Sequence, residues 1–444
     1  SKLAKPTTDG ANGFWNVNIS EPDEFNCVEL HTVIEDLVKI YNIEDFTYHV
    51  DYISGKGDNY VANLFRVIIK DEKNIEKKII VKTLINTERQ QLFHLLHLRE
   101  VFVYKEIMPE FEKILLKYYK NKKLNLAKCH LSCTDPGKEV IILEDLVDIG
   151  FQMIDKFNDI NYEHASLIFK KLAKFHALSF ILQKEDPDTF YQLKSNCRDI
   201  IFDDDFLNKT KLHNYFSEAF KTSANLVIDK DNKNILLNKL APNVMNIMQE
   251  YLKPKRYNVL CHGDLWINNI MFKTEPIDVI FIDFQAMRYA CPVTDIMYFI
   301  YICTDLKFRE THLHNLLDLY YNTLNDVLKV CEIEINEAYP RESFDEDIRE
   351  FENFGLICAL NEMKMVTVRP EDEVLLQSMK IGQDVDLVDR GCTYALRTNE
   401  LVTEFSKKGN LNKLHKPLSK VPLHIFLYLL QALVPYICYQ EALQ

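Results

Sequence analysis

Two stretches, His262–Phe272 (HGDLWINNIMF) and Val279–Gln285 (VIFIDFQ), set two acids and an amide among apolar residues: Asp264, Asn269 and Asp283. The runs NVLCHGD and PIDVIFID each end in an acid, as strands do where they pass into loops. The five-residue interval from Asp264 to Asn269 gives a loop that can aim a carboxylate at a substrate and a side-chain amide at a metal. Asp283, at the end of the next strand, adds a second oxygen ligand. Two protein oxygens, with phosphate oxygens and waters completing an octahedron, are what Mg²⁺ prefers. Phosphoryl transfer asks for that metal, a base, and a lysine on the phosphates held by a glutamate. Lys82 in the strand IIVKTLI and Glu100 on the following helix supply the pair. Taken singly, each position has a plainer explanation: an Asp at a strand end is a turn or cap residue, and a strand lysine snorkels. His262 is given a structural role, orienting the loop. Five elements in the order this chemistry needs favour the joint reading, with Asp264 as base and Asn269 and Asp283 as magnesium ligands.

The elements that must position these residues can be read from periodicity. FTYHVDYI and YVANLFRVII flank SGKGDN, and Val61, Phe65, Val67 and Ile69 mostly alternate onto one face, which predicts a hairpin. IIVKTLI is a third strand. Phe93, Leu96, His97, Glu100, Val103 and Tyr104 form one helical stripe, so Glu100 lies among apolar residues and requires a basic partner from another element. Pro109 is expected to open a second helix with Phe111, Ile114, Leu115 and Tyr118 on one face. Glu139–Leu146 (EVIILEDL) reads as a short buried strand, and beyond it the pattern is mainly helical, as in Ala165, Ile168, Phe169, Leu172, Phe175, His176 and Ser179. This predicts an α+β, two-lobed architecture. A small β-rich N-lobe at 27–143 binds nucleotide, a larger helical C-lobe at 144–410 holds catalysis and substrate, and an apolar tail covers 411–444. The hinge falls at Glu144–Gly150.

Other features are less specific. Gly55 and Gly57 are too few for a full GxGxxG, so a plain turn and a phosphate cover both remain open; the position just before the lysine strand points to the second, with backbone amides of Gly57, Asp58 and Asn59 facing the nucleotide. Asp203–Asp205 reads as a solvated face. In CHLSC, Cys129, His130 and Cys133 lack the second pair that would complete a zinc site, so buried thiols are expected.

The bulk numbers exclude several classes. A chain of 444 residues, 47% hydrophobic, with 11 glycines and 14 prolines, is globular, neither disordered nor fibrous. A net charge of -13 without a basic stripe argues against nucleic acid, and suits Mg²⁺ complexes or cationic small molecules. Eleven cysteines without paired spacing fit reduced thiols in a cytoplasmic protein. No signal peptide is expected in the opening residues. Val421–Cys438 is barely long enough to span a membrane and holds His424, Gln431 and Pro435, so a buried or partner-facing helix is expected there instead.

Taken together, SGKGDNYVANLFRV, IIVKTLI, REVFVYKEIMPEFE, ILEDLVDIGF, LAKFHALSF, HGDLWINNIMF and IDFQAMRYACPVTDIMYFIY resemble the ecdysteroid 22-kinase-like (CHK kinase-like) family, which belongs with aminoglycoside phosphotransferases and choline kinases. The resemblance spans roughly residues 30–405. It implies a protein-kinase-like fold and an ATP-dependent, Mg²⁺-requiring kinase. Its acceptor would be a hydroxyl of an ecdysteroid or similar lipophilic alcohol. Asp264 would be the base, Asn269 and Asp283 the Mg²⁺ ligands, Lys82 the phosphate lysine, Glu100 its partner, and the backbone at Glu144, Asp145 and Leu146 the adenine site. Asp295 would support the catalytic loop. Gly263 stands where protein kinases have the arginine of HRD, and Gln285 where DFG has glycine, so a small hydroxylated molecule is expected rather than a protein. Fold-level analogy leaves open a choline- or aminoglycoside-type cationic acceptor, and a non-catalytic binding protein is the third class. Trp266 and the apolar stretch Phe354–Val368 are expected to wall the acceptor pocket.

Overall fold

The computed structural model describes residues 16–17, 22–53, 62–73, 75–85, 87, 90–119, 126–275, 277–369 and 391–411. The glycine turn, with Gly57, Asp58 and Asn59, and the apolar tail from 412 onward lie outside the described residues. Helix α1 (Val28–Ile40) buries Leu30, Ile34, Leu37 and Val38, a stripe at helical spacing. It packs on a six-stranded sheet ordered Asn16–Val17, β1 (Thr47–Tyr52), β2 (Asn63–Lys70), β3 (Glu76–Thr83), β5 (Val140–Glu144), β4 (Cys129–Cys133). Side chains alternate across the sheet, so Phe65, Val67, Ile69, Ile79 and Val81 enter the small core with α1. Arg66, Ile80 and Lys82 therefore emerge on the opposite face. Lys82 pairs with Leu64 on one side and Ile141 on the other, which places it mid-sheet.

Beneath that face runs a long helical segment, α2 (Gln90–Phe102) and α3 (Met108–Tyr119), joined by a π turn at Val103–Ile107. The second helix expected at Pro109 is α3, which starts one residue earlier and continues directly from the π turn. Proline lacks an N–H, and its ring would clash with the carbonyl four residues back, at Lys105. Lys105 lies inside the π turn, where the widened spacing accommodates the ring. Although α2 and α3 precede the last sheet strands, their apolar side chains join the larger core of the following helices, with Phe111 edge-on to Phe175 at 5.8 Å.

That larger part is mainly helical: α4 (Tyr162–Glu185), α5 (Val293–Cys303), α6 (Leu306–Val330), α7 (Arg341–Thr367) and α8 (Thr393–Lys407). Inserted before α5 are short strands, β6 (Val259–Cys261), β7 (Ile270–Thr274), β8 (Ile277–Phe281) and β9 (Arg288–Ala290), paired β6 with β9 and β7 with β8. The result is an α+β, two-lobed, protein-kinase-like fold. Asp203, first of the three consecutive acids, caps a short helix by accepting from the amides of Asp205 and Phe206.

Helices α5 and α7 touch at Gly355, where an added Cβ would lie 2.3 Å from Tyr301 Cδ2 and 3.2 Å from the Met297 carbonyl. Ala gains about 1 kcal/mol over Gly in a helix interior. Here overpacking of about 1–3 kcal/mol exceeds it, because the backbone of α5 cannot yield as a flexible side chain would. Gly355→Ala should therefore lower the urea midpoint; a raised midpoint would mean that the helices separate freely.

Candidate active site

Between the sheet and the helical part lies a cavity of about 1090 Å³. Its lining includes Lys82, Glu144, Asp145, Leu146, Asp264, Trp266, Asn269 and Asp283, all singled out in the sequence. Glu100 is buried behind Lys82. The Lys82 Nζ donates to Glu100 Oε2 at 2.5 Å and to Asp283 Oδ1 at 2.7 Å. The acid embedded in the apolar stripe of α2 thus has the basic partner it requires. Burial works against the Lys82 ammonium, but the two carboxylates outweigh it and hold its pKa above the ordinary value. Arg99, beside Glu100, anchors α2 by donating to the carbonyls of Met287, Asn196 and Arg198.

The two loops that carry the acids are tied together by backbone. Ile282 N–H donates to the Asn269 carbonyl at 3.0 Å, and His262 Nε2 donates to the Ile282 carbonyl at 2.9 Å. His262 therefore orients the loop. Asp283 follows with φ 64°, a left-handed conformation uncommon for a residue with a Cβ. Under both loops sits Asp295, buried at the start of α5. It accepts from the amides of His262 (2.7 Å) and Gly263 (2.9 Å) and from His176 Nε2 (3.0 Å). Burial alone would raise its pKa; the His176 hydrogen bond and the loop amide hold it below the ordinary value. Among the described residues, His176, Cys261 and Asp295 are the one cluster with metal-ligand spacing, but His176 also meets Tyr320, and Cys261 donates to the Ala290 carbonyl. These bonds make the cluster a support for the loop. Gly263 has φ +87°, and a Cβ there would lie 2.0 Å from the Ala286 carbonyl oxygen, which explains why no arginine stands at that position.

Asp264 is held from both sides. Tyr298 of α5 donates to its Oδ1 at 2.8 Å, and Asn269 Nδ2 donates to its Oδ2 at 3.1 Å and to its carbonyl at 2.8 Å. Burial, then repulsion from Asp283, raises its pKa, while Tyr298 and Asn269 counter the shift. With its nitrogen committed to Asp264, Asn269 keeps its amide oxygen for another partner. That oxygen and the Asp283 carboxylate form a hard donor set of the kind Mg²⁺ takes, so the residues present fit this ion. At the hinge, the Asp145 carboxylate accepts from Arg66 Nε at 2.5 Å and from the Val147 amide at 3.1 Å. Its side chain ties the segment after β5 to β2. The Leu146 carbonyl is itself taken by Phe151 N–H at 3.0 Å.

The sequence did not single out Tyr298, Arg66, Arg288, Asn361 or Glu362, which also line the cavity. Glu362 carried the same signal as Glu100, an acid inside an apolar helical stretch, FGLICALNEMKMV. Tyr298 carried none, because its place depends on how α5 meets the loop.

A strand lysine paired to a helix glutamate above two acid-bearing loops is the constitution of a kinase-like phosphotransferase that acts on alcohol groups of small molecules. The sequence matches the ecdysteroid kinase-like family over residues 56–333, and the chain belongs to that family. No curated protein matches it. Among solved structures it is similar to an ethanolamine kinase of Plasmodium vivax, with 18% identity, TM-score 0.39, and coverage of 82% of this chain and 84% of that one. It is also similar to a microcompartment-associated aminopropanol kinase, with 11% identity, TM-score 0.43, and coverage of 86% and 99%. A third is an aminoglycoside 2′-phosphotransferase in complex with GDP, with 14% identity, TM-score 0.37, and coverage of 87% and 99%.

If Lys82 and Glu100 form one energetic unit, Lys82→Met and Glu100→Gln should be coupled by about 0.5–3 kcal/mol in a double-mutant cycle of unfolding free energy. Additive losses would show that the pair is only a proximity.

Proposed function

We propose that the protein transfers the γ-phosphoryl group of ATP to a hydroxyl of an ecdysteroid or a similar lipophilic alcohol. The observation that carries this reading is that one cavity joins the Lys82–Asp283 pair to an apolar recess beyond Asp264. Trp266, Phe354, Cys358 and Met365 line it, as do Phe202 from a turn and Phe216 from another helix. A lipophilic alcohol gains affinity from such buried area and orientation from few polar groups. We assign nucleotide binding to residues 27–143, and catalysis and acceptor binding to 144–410. No helix among the described residues is long and apolar enough to cross a membrane, and the described cysteines are free thiols. From the thiols we infer a cytoplasmic enzyme, and from the net charge of -13 the lack of a nucleic-acid partner.

In this mechanism the backbone at Glu144–Leu146 takes the adenine. Lys82 holds the phosphates, with Glu100 fixing its direction. Asn269 and Asp283 would hold Mg²⁺, which when bound neutralises charge on the transferring group. Asp264 orients the acceptor hydroxyl and takes its proton. The acceptor oxygen bonds to the γ-phosphorus as the bond to the bridging oxygen of ADP breaks. Burial suits Asp264 to this task, because a raised pKa makes it a better base near neutral pH. Trp266 walls the acceptor side. A cationic acceptor of the choline type is the second reading, favoured by the Asp264 and Asp283 carboxylates on the cavity wall and opposed by the buried Arg288 guanidinium there.

An acceptor panel of ecdysone, choline and an aminoglycoside with Mg·ATP tests the proposal. Turnover of ecdysone without turnover of choline supports it, and selective choline turnover overturns it. Asp264→Asn should lower kcat by roughly two to four orders of magnitude. Mg·ATP should still raise its melting temperature by about the wild-type amount, since the nucleotide groups are intact. Asp283→Asn should instead abolish the Mg²⁺-dependent part of that stabilisation. Wild-type turnover by Asp264→Asn would remove Asp264 from the mechanism.

A further inference from the structure

On α7, Phe354, Cys358, Asn361, Glu362 and Met365 line the cavity at helical spacing, so two polar residues sit within an apolar wall. Among the described residues, no hydrogen bond or ion pair reaches the Glu362 carboxyl. The Oδ1 of Asn361, a residue only 3% exposed, is buried without a partner. Across the same cavity the Nε of Arg288, also buried, has none, although its Nη1 lies 3.4 Å from Asp199. Leaving a buried polar group unpaired costs about 1–3 kcal/mol, and native proteins contain few such groups. Asn361 Oδ1 and Arg288 Nε are two such atoms in the cavity wall, and beside them the half-buried Glu362 carboxyl opens onto the cavity with no partner among the described residues.

Their chemistry narrows what that ligand presents. Burial, then repulsion from Asp264, pushes the Glu362 carboxyl up to about 8, so near neutral pH it is mostly an uncharged acid that both donates and accepts. An ammonium would meet the Arg288 guanidinium, and an anion would meet Asp264 and Asp283. A hydroxyl carries no charge, and it can both donate to and accept from the Glu362 carboxyl.

We infer that Glu362 forms a second recognition point in the acceptor site, which binds a hydroxyl other than the one phosphorylated and selects polyhydroxylated apolar molecules. This rests on the lipophilic-alcohol reading. Glu362 is a specificity residue that takes no part in the transfer itself.

The test is steady-state kinetics with Mg·ATP on two probes, ecdysone, which carries several hydroxyls, and a cyclodextrin-solubilised sterol with a single hydroxyl. Glu362→Leu should raise KM for ecdysone by about tenfold or more, the loss of a hydrogen bond to a buried group, with kcat and the KM for ATP nearly unchanged. KM for the single-hydroxyl sterol should stay at its wild-type value. Glu362→Gln should recover most of the ecdysone affinity, because an amide also donates and accepts. An unchanged ecdysone KM in Glu362→Leu, equal weakening of both sterols, or Glu362→Gln behaving like Glu362→Leu would each overturn the inference. If the wild-type enzyme phosphorylates neither sterol, the lipophilic-alcohol reading fails and this inference fails with it. Wild-type turnover that is indifferent to Glu362 overturns the inference alone.

Discussion

The constraint on which the rest of the structure depends is the burial of the Lys82 ammonium. A charge taken out of water is costly unless neutralised at short range, and here two carboxylates from distant parts of the chain do so, Glu100 at 2.5 Å and Asp283 at 2.7 Å. Neither partner is local to Lys82. Satisfying the lysine therefore forces β3, α2 and the loop after β8 to meet at one point. Arg99 strengthens the meeting, since it is tied to backbone carbonyls on either side of the same junction.

A second buried charge, Asp295, organises the loop below. Its carboxylate takes two consecutive amides, His262 and Gly263, and the His176 ring. Backbone amides have one direction each, so fixing both leaves Asp264 with one exit angle from the turn. Gly263 permits the turn because the Ala286 carbonyl occupies the space a side chain would need. Tyr298 and Asn269 then clamp the Asp264 carboxylate. The same bond leaves Asn269 with a free amide oxygen beside Asp283. Positioning and ligand chemistry come from one set of hydrogen bonds.

The cavity beyond Asp264 is shaped by the close approach of α5 and α7 at Gly355. α5 carries Tyr298, and α7 carries Asn361 and Glu362. Helix packing thus sets which polar groups face the acceptor. The segment after β5 is held separately, by Asp145 accepting from Arg66 of β2.

Features carried by local periodicity and by strongly typed residues were legible in the sequence. Alternation gave the strands, so the face of β3 that bears Lys82 followed from period two. Helical spacing put Glu100 in an apolar stripe, and the cost of burying an acid implied a cation from elsewhere before any contact was known. The acids at the ends of two apolar runs marked the loops that meet in the cavity. Pro109 marked the start of α3 to within one residue, but the π turn that joins it to α2 without a gap had no signal in the sequence. Tyr298, Arg66, Asn361 and Arg288 became visible only in three dimensions. Their significance lies in what they face, and a partner 34 residues away in Tyr298 and Asp264, or 79 away in Arg66 and Asp145, leaves no periodic trace in the chain. Sequence alone determined the chemical types and the order of the elements; tertiary structure decided which side chains share a cavity and which remain unpaired in it, because burial and pairing are properties of the packed whole.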